Sequence, residues 1–251
     1  MSSDFCNLTG KRILLTGASS GIGKQTALLL AKHGAIVHLC GRDEERLHEV
    51  LKSLEGQWHQ SYRGDLSDEK NIDSLVGGTP EIDGVVHSAG IIGPVPAKFI
   101  RQGDIEKLFR INYEVPVLLT AKLLQRKRIK DKSSIVFISS VATVSPYFGG
   151  ALYTSAKAGL EAYSRSLALE LVKRGIRSNC LQPGLVNTPL INTPAQQGQL
   201  EMVDESLQRY LKKYPMGVGE PEDVANAIIF LVANESKWIS GTSIPLGSII
   251  Q

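Results

Sequence analysis

Tyr153 and Lys157 are a pair of side chains that together can move a proton. They stand four positions apart, and positions i and i+4 of a helix share one face. A free tyrosine has a pKa of about 10 and is a poor acid or base near neutrality. A neighbouring ammonium group favours the phenolate and lowers that pKa, so the phenol can exchange a proton with a substrate oxygen. The spacing alone is a weak indication, because Tyr-x-x-x-Lys occurs by chance in many helices.

A glycine-rich segment, residues 16–23, follows the first predicted strand and opens the first predicted helix. Glycines let the backbone turn tightly and approach a pyrophosphate closely. The helix N-terminus offers N–H groups and a partial positive charge to the same anion. The segment therefore predicts a dinucleotide site, and the alternative is a glycine-rich turn without a ligand. The predicted contacts are Gly17, Ser19, Ser20, Gly21, Ile22 and Gly23.

The end of the second predicted strand bears on which dinucleotide binds. In dinucleotide folds an acidic residue here binds the ribose 2′-OH of NAD(H), whereas an arginine suits the 2′-phosphate of NADP(H). Neither Cys40 nor Gly41 is acidic, and Arg42 follows them. This favours NADP(H). NAD(H) remains the alternative, because Asp43 adjoins Arg42 and can pair with it.

Apolar runs rich in β-branched residues alternate with amphipathic stretches of helical length. This alternation implies βαβ units, and so an α/β fold whose parallel sheet carries helices on both faces. We predict one domain, residues 1–251, with the loose segment 184–215 as a lid over the site. A short helix is predicted to be capped at Ser67. The predicted strands are 13–15, 36–39, 58–62, 83–87, 135–138, 176–181 and 243–246, and the main helices are 23–33, 43–54, 104–127, 150–173 and 221–233.

Bulk composition argues against several classes of protein. The net charge of +3 is too small to indicate binding to nucleic acid or to a membrane surface. No apolar run reaches the length of a transmembrane helix. Cys6, Cys40 and Cys180 are an odd number of cysteines and lie far apart, which argues against a disulfide framework or a metal site. We therefore expect a protein of the reducing cytoplasm that binds no metal.

Further motifs follow in a fixed order. Asn112 lies within Arg110-Ile111-Asn112-Tyr113, Ser140 stands 13 residues before Tyr153, and Pro183-Gly184 follows the sixth strand. With the glycine-rich segment and the Tyr153–Lys157 pair, these motifs resemble the single-domain branch of the short-chain dehydrogenase/reductase family. The resemblance runs from Leu8 to Leu246. It implies a Rossmann-type doubly wound sheet of about seven strands.

The resemblance also implies a reaction, hydride transfer between NADP(H) and a small-molecule carbonyl or secondary alcohol. Tyr153 would give the proton in reduction and take it in oxidation, while Lys157 would lower the pKa of Tyr153 and bind the nicotinamide ribose. Ser140 would donate a hydrogen bond to the substrate oxygen, and Asn112 would position a water that links Lys157 to solvent. Further implied cofactor contacts are Asp65 and Leu66 at the adenine, Ala89, Gly90, Pro183, Gly184, and Thr188 at the nicotinamide carboxamide, besides Tyr153 and Lys157 themselves.

The chain departs from the family pattern at two places. His87-Ser88 stands where the family has two asparagines, and we expect His87 to be structural. The segment Leu246-Gly247-Ser248 replaces the usual end of the last strand.

Two other functions are alternatives to a general carbonyl reductase. One is a 3-oxoacyl-[acyl-carrier-protein] reductase, because those related enzymes carry basic residues comparable to the run 126–132, which makes an acyl carrier protein a second candidate partner. The other is a dinucleotide sensor without turnover, which we expect to lack members of the set Asn112, Ser140, Tyr153 and Lys157. The resemblance further implies a homotetramer, with helices 104–127 and 150–173 forming one dimer contact.

Overall fold

One parallel sheet organises the part of the chain that the computed structural model describes, residues 5–190 and 215–247. Its strand order is β3-β2-β1-β4-β5-β6-β7, and every neighbouring pair is parallel. Because the chain crosses from β3 back over β1 to form β4, a topological switch point lies between β1 and β4. The predicted seven-stranded Rossmann-type fold is thereby confirmed. The strands are β1 Arg12–Thr16, β2 Ile36–Gly41, β3 Gln60–Arg63, β4 Ile82–His87, β5 Ile129–Ile138, β6 Arg177–Pro183 and β7 Ser243–Leu246.

Helices cover both faces of this sheet, because alternate strand residues point to opposite faces. Ile13 and Leu15 of β1 join the apolar cluster under helices α1 and α7, whereas Leu14 between them joins the cluster under α3, α5 and α6. The side chains of Ile13, Leu14 and Leu15 are fully buried. The α-helices of the described residues are α1 Gly21–Lys32, α2 Glu44–Lys52, α3 Glu69–Gly78, α4 Gln102–Phe109, α5 Val115–Gln125, α6 Ala151–Leu171 and α7 Pro221–Val232.

The predicted continuous helix 104–127 is wrong, because a π-helical turn, Arg110–Glu114, separates α4 from α5. A π turn inserts one extra residue and rotates the side chains that follow it. Here it contains Asn112, which is 1% exposed and bonds to the backbone of Ile91. The irregular turn thus coincides with a residue predicted to belong to the site.

The predicted cap at Ser67 is also wrong. Asp68 caps α3, since its carboxylate accepts a hydrogen bond from the N–H of Lys70 at 2.9 Å. Ser67 is engaged elsewhere: its N–H donates to Asp65, and its carbonyl oxygen accepts from Arg110.

Several other boundaries also differ from those predicted, for example in β5 and in the helix predicted over residues 150–173. β5 begins at Ile129 instead of at residue 135, and its register with β4 shifts between Ile82 and Gly84. The predicted helix 150–173 ends earlier, at Leu171, and a 3-10 turn leads to Gly175 in the left-handed conformation.

The predicted lid, 184–215, lies mainly outside the described residues. Its described start is tied to the chain that precedes α7: Val186 forms an isolated bridge with Gly219, and the N–H of Asn187 donates to the carbonyl of Gly219 at 2.8 Å. In the described ranges, no helix is long and apolar enough to span a bilayer.

Candidate active site

A cleft of about 1020 Å³ opens at the carboxyl ends of the strands, beside the switch point between β1 and β4. Ligands of doubly wound sheets bind at this edge. Every residue predicted for the site lines the cleft except Asn112. Residues far apart in the sequence, from Gly17 to Thr188, therefore share one cavity.

The glycine-rich turn contains two positions at which no side chain fits. A Cβ at Gly17, whose φ is +69°, would lie 2.7 Å from the backbone nitrogen of Ala89. A Cβ at Gly23 would lie 2.1 Å from the carbonyl oxygen of Gly17. The turn is thus folded tightly and presents bare backbone to the cleft, which suits the close approach of a pyrophosphate.

The start of α1 completes this phosphate cradle. Its N-cap, Ser20, does not use its side chain to cap the first turn, and that turn carries no acidic residue. The N–H groups and the positive end of the helix dipole therefore suit an anion in the cleft. Thr188 also lines the cleft and lies against the start of α1, since its Cγ2 would be 3.2 Å from a Cβ at Gly21.

Arg42 and Asp65 lie at the other end of the cleft. In the described part of the chain, Asp43 pairs with Arg46 at 3.2 Å and caps α2, so its carboxylate is engaged away from Arg42. The pKa of Asp65 is lowered, mainly by the hydrogen bond from the backbone N–H of Ser67 and to a smaller extent by Arg42. This end combines an arginine with a carboxylate that stays ionised near neutrality.

Lys157 is a buried cation that also borders the cleft. Its Nζ donates to the carbonyl oxygen of Ile138 at 2.7 Å and lies 5.7 Å from the centre of the Tyr153 ring. Burial lowers the pKa of Lys157 to about 8, against the opposing effects of Cys180 and Glu161. An ammonium has three donors, so the bond to Ile138 leaves two for other partners. The predicted pairing of Tyr153 with Lys157 on one helix face is present in α6.

Asn112 lies behind the wall of the cleft and not on it. Its side-chain nitrogen donates to the carbonyls of Ile91 and Leu108, and its oxygen accepts from the N–H of Ile91 at 3.2 Å. A Cβ at Gly90 would lie 3.0 Å from this oxygen and 3.5 Å from Nζ of Lys157. Asn112 therefore fixes the strip of backbone between itself and Lys157.

The two serines at the end of β5 have different environments. Ser140 borders the cleft, and its Oγ accepts a hydrogen bond from the N–H of Ala142 at 3.2 Å, which leaves the hydroxyl proton to donate. Ser139 is buried, and its hydroxyl donates to Glu161.

His87 is a neutral structural residue. Burial lowers its pKa to about 3, and the nearby Lys157 contributes in the same direction. Its Nε2 lies 2.9 Å from Oγ1 of Thr120, and its ring stacks on Phe137 with centroids 4.8 Å apart. A protonated His87 would be a buried cation beside the Lys157 ammonium, which is unfavourable, so His87 is neutral near pH 7.

An apolar wall beside Ser140 and Tyr153 was missed by the sequence reasoning. Tyr147 lies with its ring centroid 6.5 Å from that of Tyr153, and Phe148 is 86% exposed at the rim. Tyr147 and Phe148, two adjacent aromatic residues between Ser140 and Tyr153, could have indicated this wall from the sequence. Other apolar residues that line the cleft are Ile91, Ile92, Pro94, Val141, Leu185, Leu190 and Val218.

The chain is similar in sequence and in structure to known proteins. A family model described as short chain dehydrogenase matches residues 11–198. The 3-oxoacyl-[acyl-carrier-protein] reductase FabG of Rickettsia felis is 32% identical over 242 residues, which cover 95% of each chain. The glucose 1-dehydrogenase of Gluconobacter oxydans is 34% identical over 250 residues, covering 94% of this chain and 90% of that protein. The crystal structure of a short-chain dehydrogenase/reductase, glucose/ribitol dehydrogenase, from Brucella melitensis has a TM-score of 0.85 at 26% identity and covers 96% of both chains.

Proposed function

Because the chain belongs to the short chain dehydrogenase family and is an oxidoreductase of that family, we propose that it is an NADP(H)-preferring carbonyl reductase or alcohol dehydrogenase. The observation that carries the proposal is that one cleft is lined both by the glycine-rich turn and by Ser140, Tyr153 and Lys157. A bound nicotinamide dinucleotide would supply or accept the hydride. The names of the relatives point to different substrates, so the proposal covers a small-molecule carbonyl or secondary alcohol as a class.

Tyr153 is the proposed proton donor in reduction and acceptor in oxidation. The Lys157 ammonium, close to the tyrosine ring, favours the phenolate electrostatically. Ser140 donates its hydroxyl proton to the substrate oxygen, which gains negative charge as the carbonyl is reduced. Asn112 holds the backbone at Ile91, and with it the wall beside Lys157. Asn112 is also proposed to position a water that links Lys157 to solvent.

The cofactor is proposed to lie along the cleft from Arg42 to Thr188. The backbone of the glycine-rich turn would hold the pyrophosphate, and Asp65 and Leu66 would border the adenine. Ala89, Gly90, Pro183 and Gly184 would border the rest of the cofactor, with Lys157 at the ribose. The preference for NADP(H) is supported by Arg42, because Asp43 is engaged by Arg46. NAD(H) is the alternative.

The first test removes the tyrosine hydroxyl. Tyr153→Phe keeps the ring but removes the proton, so we expect kcat for ketone reduction to fall by about 10²-fold or more, with cofactor binding retained. Steady-state kinetics with a panel of ketones, sugars and an acetoacetyl thioester would measure it. Turnover close to that of the unaltered enzyme would contradict the assignment of Tyr153.

The second test concerns the cofactor. Arg42→Ala should weaken NADPH binding by about tenfold or more and leave NADH binding nearly unchanged, because only NADPH carries the 2′-phosphate. Isothermal titration calorimetry measures both affinities. Tighter binding of NADH than of NADPH by the unaltered protein would reverse the proposed preference.

A 3-oxoacyl-[acyl-carrier-protein] reductase is the second candidate, favoured by the name of the Rickettsia relative. Part of the basic run that suggested a carrier protein is engaged in this chain: Lys130 pairs with Asp83, and the neighbouring Arg174 pairs with Asp131. The acetoacetyl thioester in the panel separates this candidate from the general reductase.

We also propose that the protein forms a homotetramer and is located in the cytoplasm. The outer face of α6 supports association, because Leu169 is 77% exposed there and Val172, just beyond the helix, is 63% exposed. The three buried, unbridged cysteines support a reducing compartment.

A further inference from the structure

Glu161 is a buried acidic residue one helical turn beyond Lys157 on α6, and it is 8% exposed. One carboxylate oxygen accepts hydrogen bonds from the hydroxyl of Ser139, from the hydroxyl of Thr143 at 3.0 Å and from the amide of Gln182 at 2.9 Å. Burying a carboxylate is costly unless hydrogen bonds compensate. All three of these donors are neutral side chains, and none belongs to α6.

These donors adjoin the residues that the proposed function uses. Ser139 precedes Ser140 directly, and Thr143 ends the turn that Ser140 begins. Gln182 directly precedes Pro183 at the end of β6. The carboxylate therefore connects α6 to the substrate-binding turn and to the segment proposed to border the cofactor.

The end of β5 is fixed to α6 at two successive residues. The carbonyl of Ile138 accepts from Nζ of Lys157 at 2.7 Å, and the hydroxyl of Ser139 donates to Glu161. Because Lys157 and Glu161 are one turn apart on the helix, the two bonds set both the height and the rotation of the strand end.

The donors also bond to one another. The amide of Gln182 donates to the hydroxyl oxygen of Thr143 at 2.9 Å as well as to Glu161. The Thr143 oxygen lies 2.9 Å from the carbonyl oxygen of Ser140. Such a network favours one arrangement of its members, and loss of the carboxylate removes the acceptor that all three donors share.

We propose that Glu161 is a positioning residue, whose carboxylate fixes the Ser140 turn and the Pro183 segment against the helix that carries Tyr153 and Lys157. The effect of Glu161 on catalysis rests on the proposed function. Its effect on the order of the Ser140 turn and the Pro183 segment does not.

The charge of Glu161 has a second effect. Lys157 faces Tyr153 and Glu161 on its own helix, Cys180 on β6 and His87 on β4. Glu161 favours the Lys157 cation, so a neutral side chain at this position should let Lys157 lose its proton at a lower pH.

The experiment compares Glu161→Leu, Glu161→Gln and the matched control Glu170→Leu, which makes the same change at an exposed position of α6. Amide hydrogen exchange is measured by mass spectrometry. In Glu161→Leu, amides of residues 139–145 and 182–187 should exchange about tenfold faster or more, with the rest of the chain unchanged. The control should leave both segments as they are. Glu161→Gln keeps an acceptor oxygen and should have the smaller effect.

Kinetics then tests the catalytic consequence. Glu161→Leu should lower kcat by about tenfold or more, while cofactor affinity, which rests mainly on the glycine-rich turn, changes less. Glu161→Gln should retain more of kcat but move the alkaline limb of kcat/KM to lower pH. A merely structural role would lower only the denaturation midpoint, with kcat and the pH profile unchanged.

The outcomes separate this inference from the proposed function. If the unaltered protein turns over no carbonyl or alcohol, the proposed function fails, and hydrogen exchange still decides the role of Glu161. Exchange that is unchanged, or that rises evenly over the chain, overturns the inference. If Glu161→Leu does not fold, Gln182→Met removes one donor at similar volume and must loosen the same two segments; unaltered exchange there would refute the inference as well.

Discussion

Lys157 combines two properties that rarely occur together, because it carries a charge and is only 4% exposed. Lysines are seldom buried without a partner. Here the partner is the carbonyl of Ile138, with the carboxylate of Glu161 one turn further along the helix. Burial lowers the pKa of Lys157 from its ordinary value of 10.5 to about 8. The residue is therefore poised to respond to small changes in its surroundings.

This burial predicts a pH dependence of stability. The unfolded chain keeps the Lys157 proton up to the ordinary pKa of 10.5, whereas the folded chain releases it at about 8. Between these values the unfolded state binds more protons, so the contribution of Lys157 to the free energy of unfolding rises with pH. Urea unfolding at several pH values should show this rise in the unaltered protein and its loss in Lys157→Met.

Lys173→Met is the control for that measurement, since Lys173 is an exposed lysine. It should keep the slope of the unaltered protein between pH 8 and 10.5. An equal slope in Lys157→Met and the unaltered protein would contradict the assignment.

Residues of the candidate site could be proposed from the sequence where their signal is local. Tyr153 with Lys157, and the glycines of the turn, are recognisable because their partners lie within a few positions. The network of Glu161 could not be predicted, because its donors lie 18 to 22 residues away along the chain. A glutamate on an amphipathic helix ordinarily indicates a solvated face, and only the packing of β5 and β6 against α6 shows that this one is buried.

At the scale of elements, the turn between β1 and α1 depends on backbone packed against backbone. The carbonyl of Gly17 occupies the space of a side chain at Gly23, and Ala89 occupies the space of one at Gly17. The N–H of Ala18 also donates to the carbonyl of Cys40 at 3.1 Å. The turn is therefore fixed by β2 and by the segment after β4.

Gly23→Ala should consequently weaken cofactor binding. The added methyl group collides with the Gly17 carbonyl and displaces the turn, and a strain of about 1–3 kcal/mol corresponds to a loss of affinity of about tenfold or more. Gly10→Ala is the control, since Gly10 has a φ of +76° but no atom within 4 Å of the added carbon. It should cost stability and leave the affinity unchanged in calorimetric titration with NADPH. Unaltered affinity in Gly23→Ala would show that the turn tolerates the collision.

The elements themselves were largely predictable, and their irregularities were not. Strands and helices alternate with clear periodicity, so their order was evident from the sequence. The π turn at Arg110–Glu114 changes that periodicity by a single residue, which apolar patterning does not resolve. Only the inward position of Asn112, bonded to Ile91, shows why the extra residue is present.

At the scale of the whole molecule, one exposed surface predicts association. Leu169 on the outer face of α6 and Val172 beyond its end are large apolar side chains in contact with solvent. Association of copies of the chain along α6 would remove this apolar area from water.

Leu169→Glu should therefore lower the molar mass of the assembly. A carboxylate buried at a symmetric contact would face its own copy and be desolvated without a partner. Size-exclusion chromatography with light scattering measures the mass. Trp58→Glu, a similarly exposed position next to β3, is the control and should keep the mass of the unaltered protein. A monomer in the unaltered protein at micromolar concentration would contradict the proposed tetramer.

The central place of β1 has a consequence for how the chain folds. Ile13 lies beside Val37 on one side but beside Gly84 on the other, so β1 gains its second neighbour, β4, only after α2, β3 and α3 have also been made. Contacts so distant along the chain slow folding and expose an unpaired strand meanwhile. Nascent chains that end before β4 should therefore depend on chaperones most, and the cleft, which needs both strands, should be among the last parts of the molecule to form.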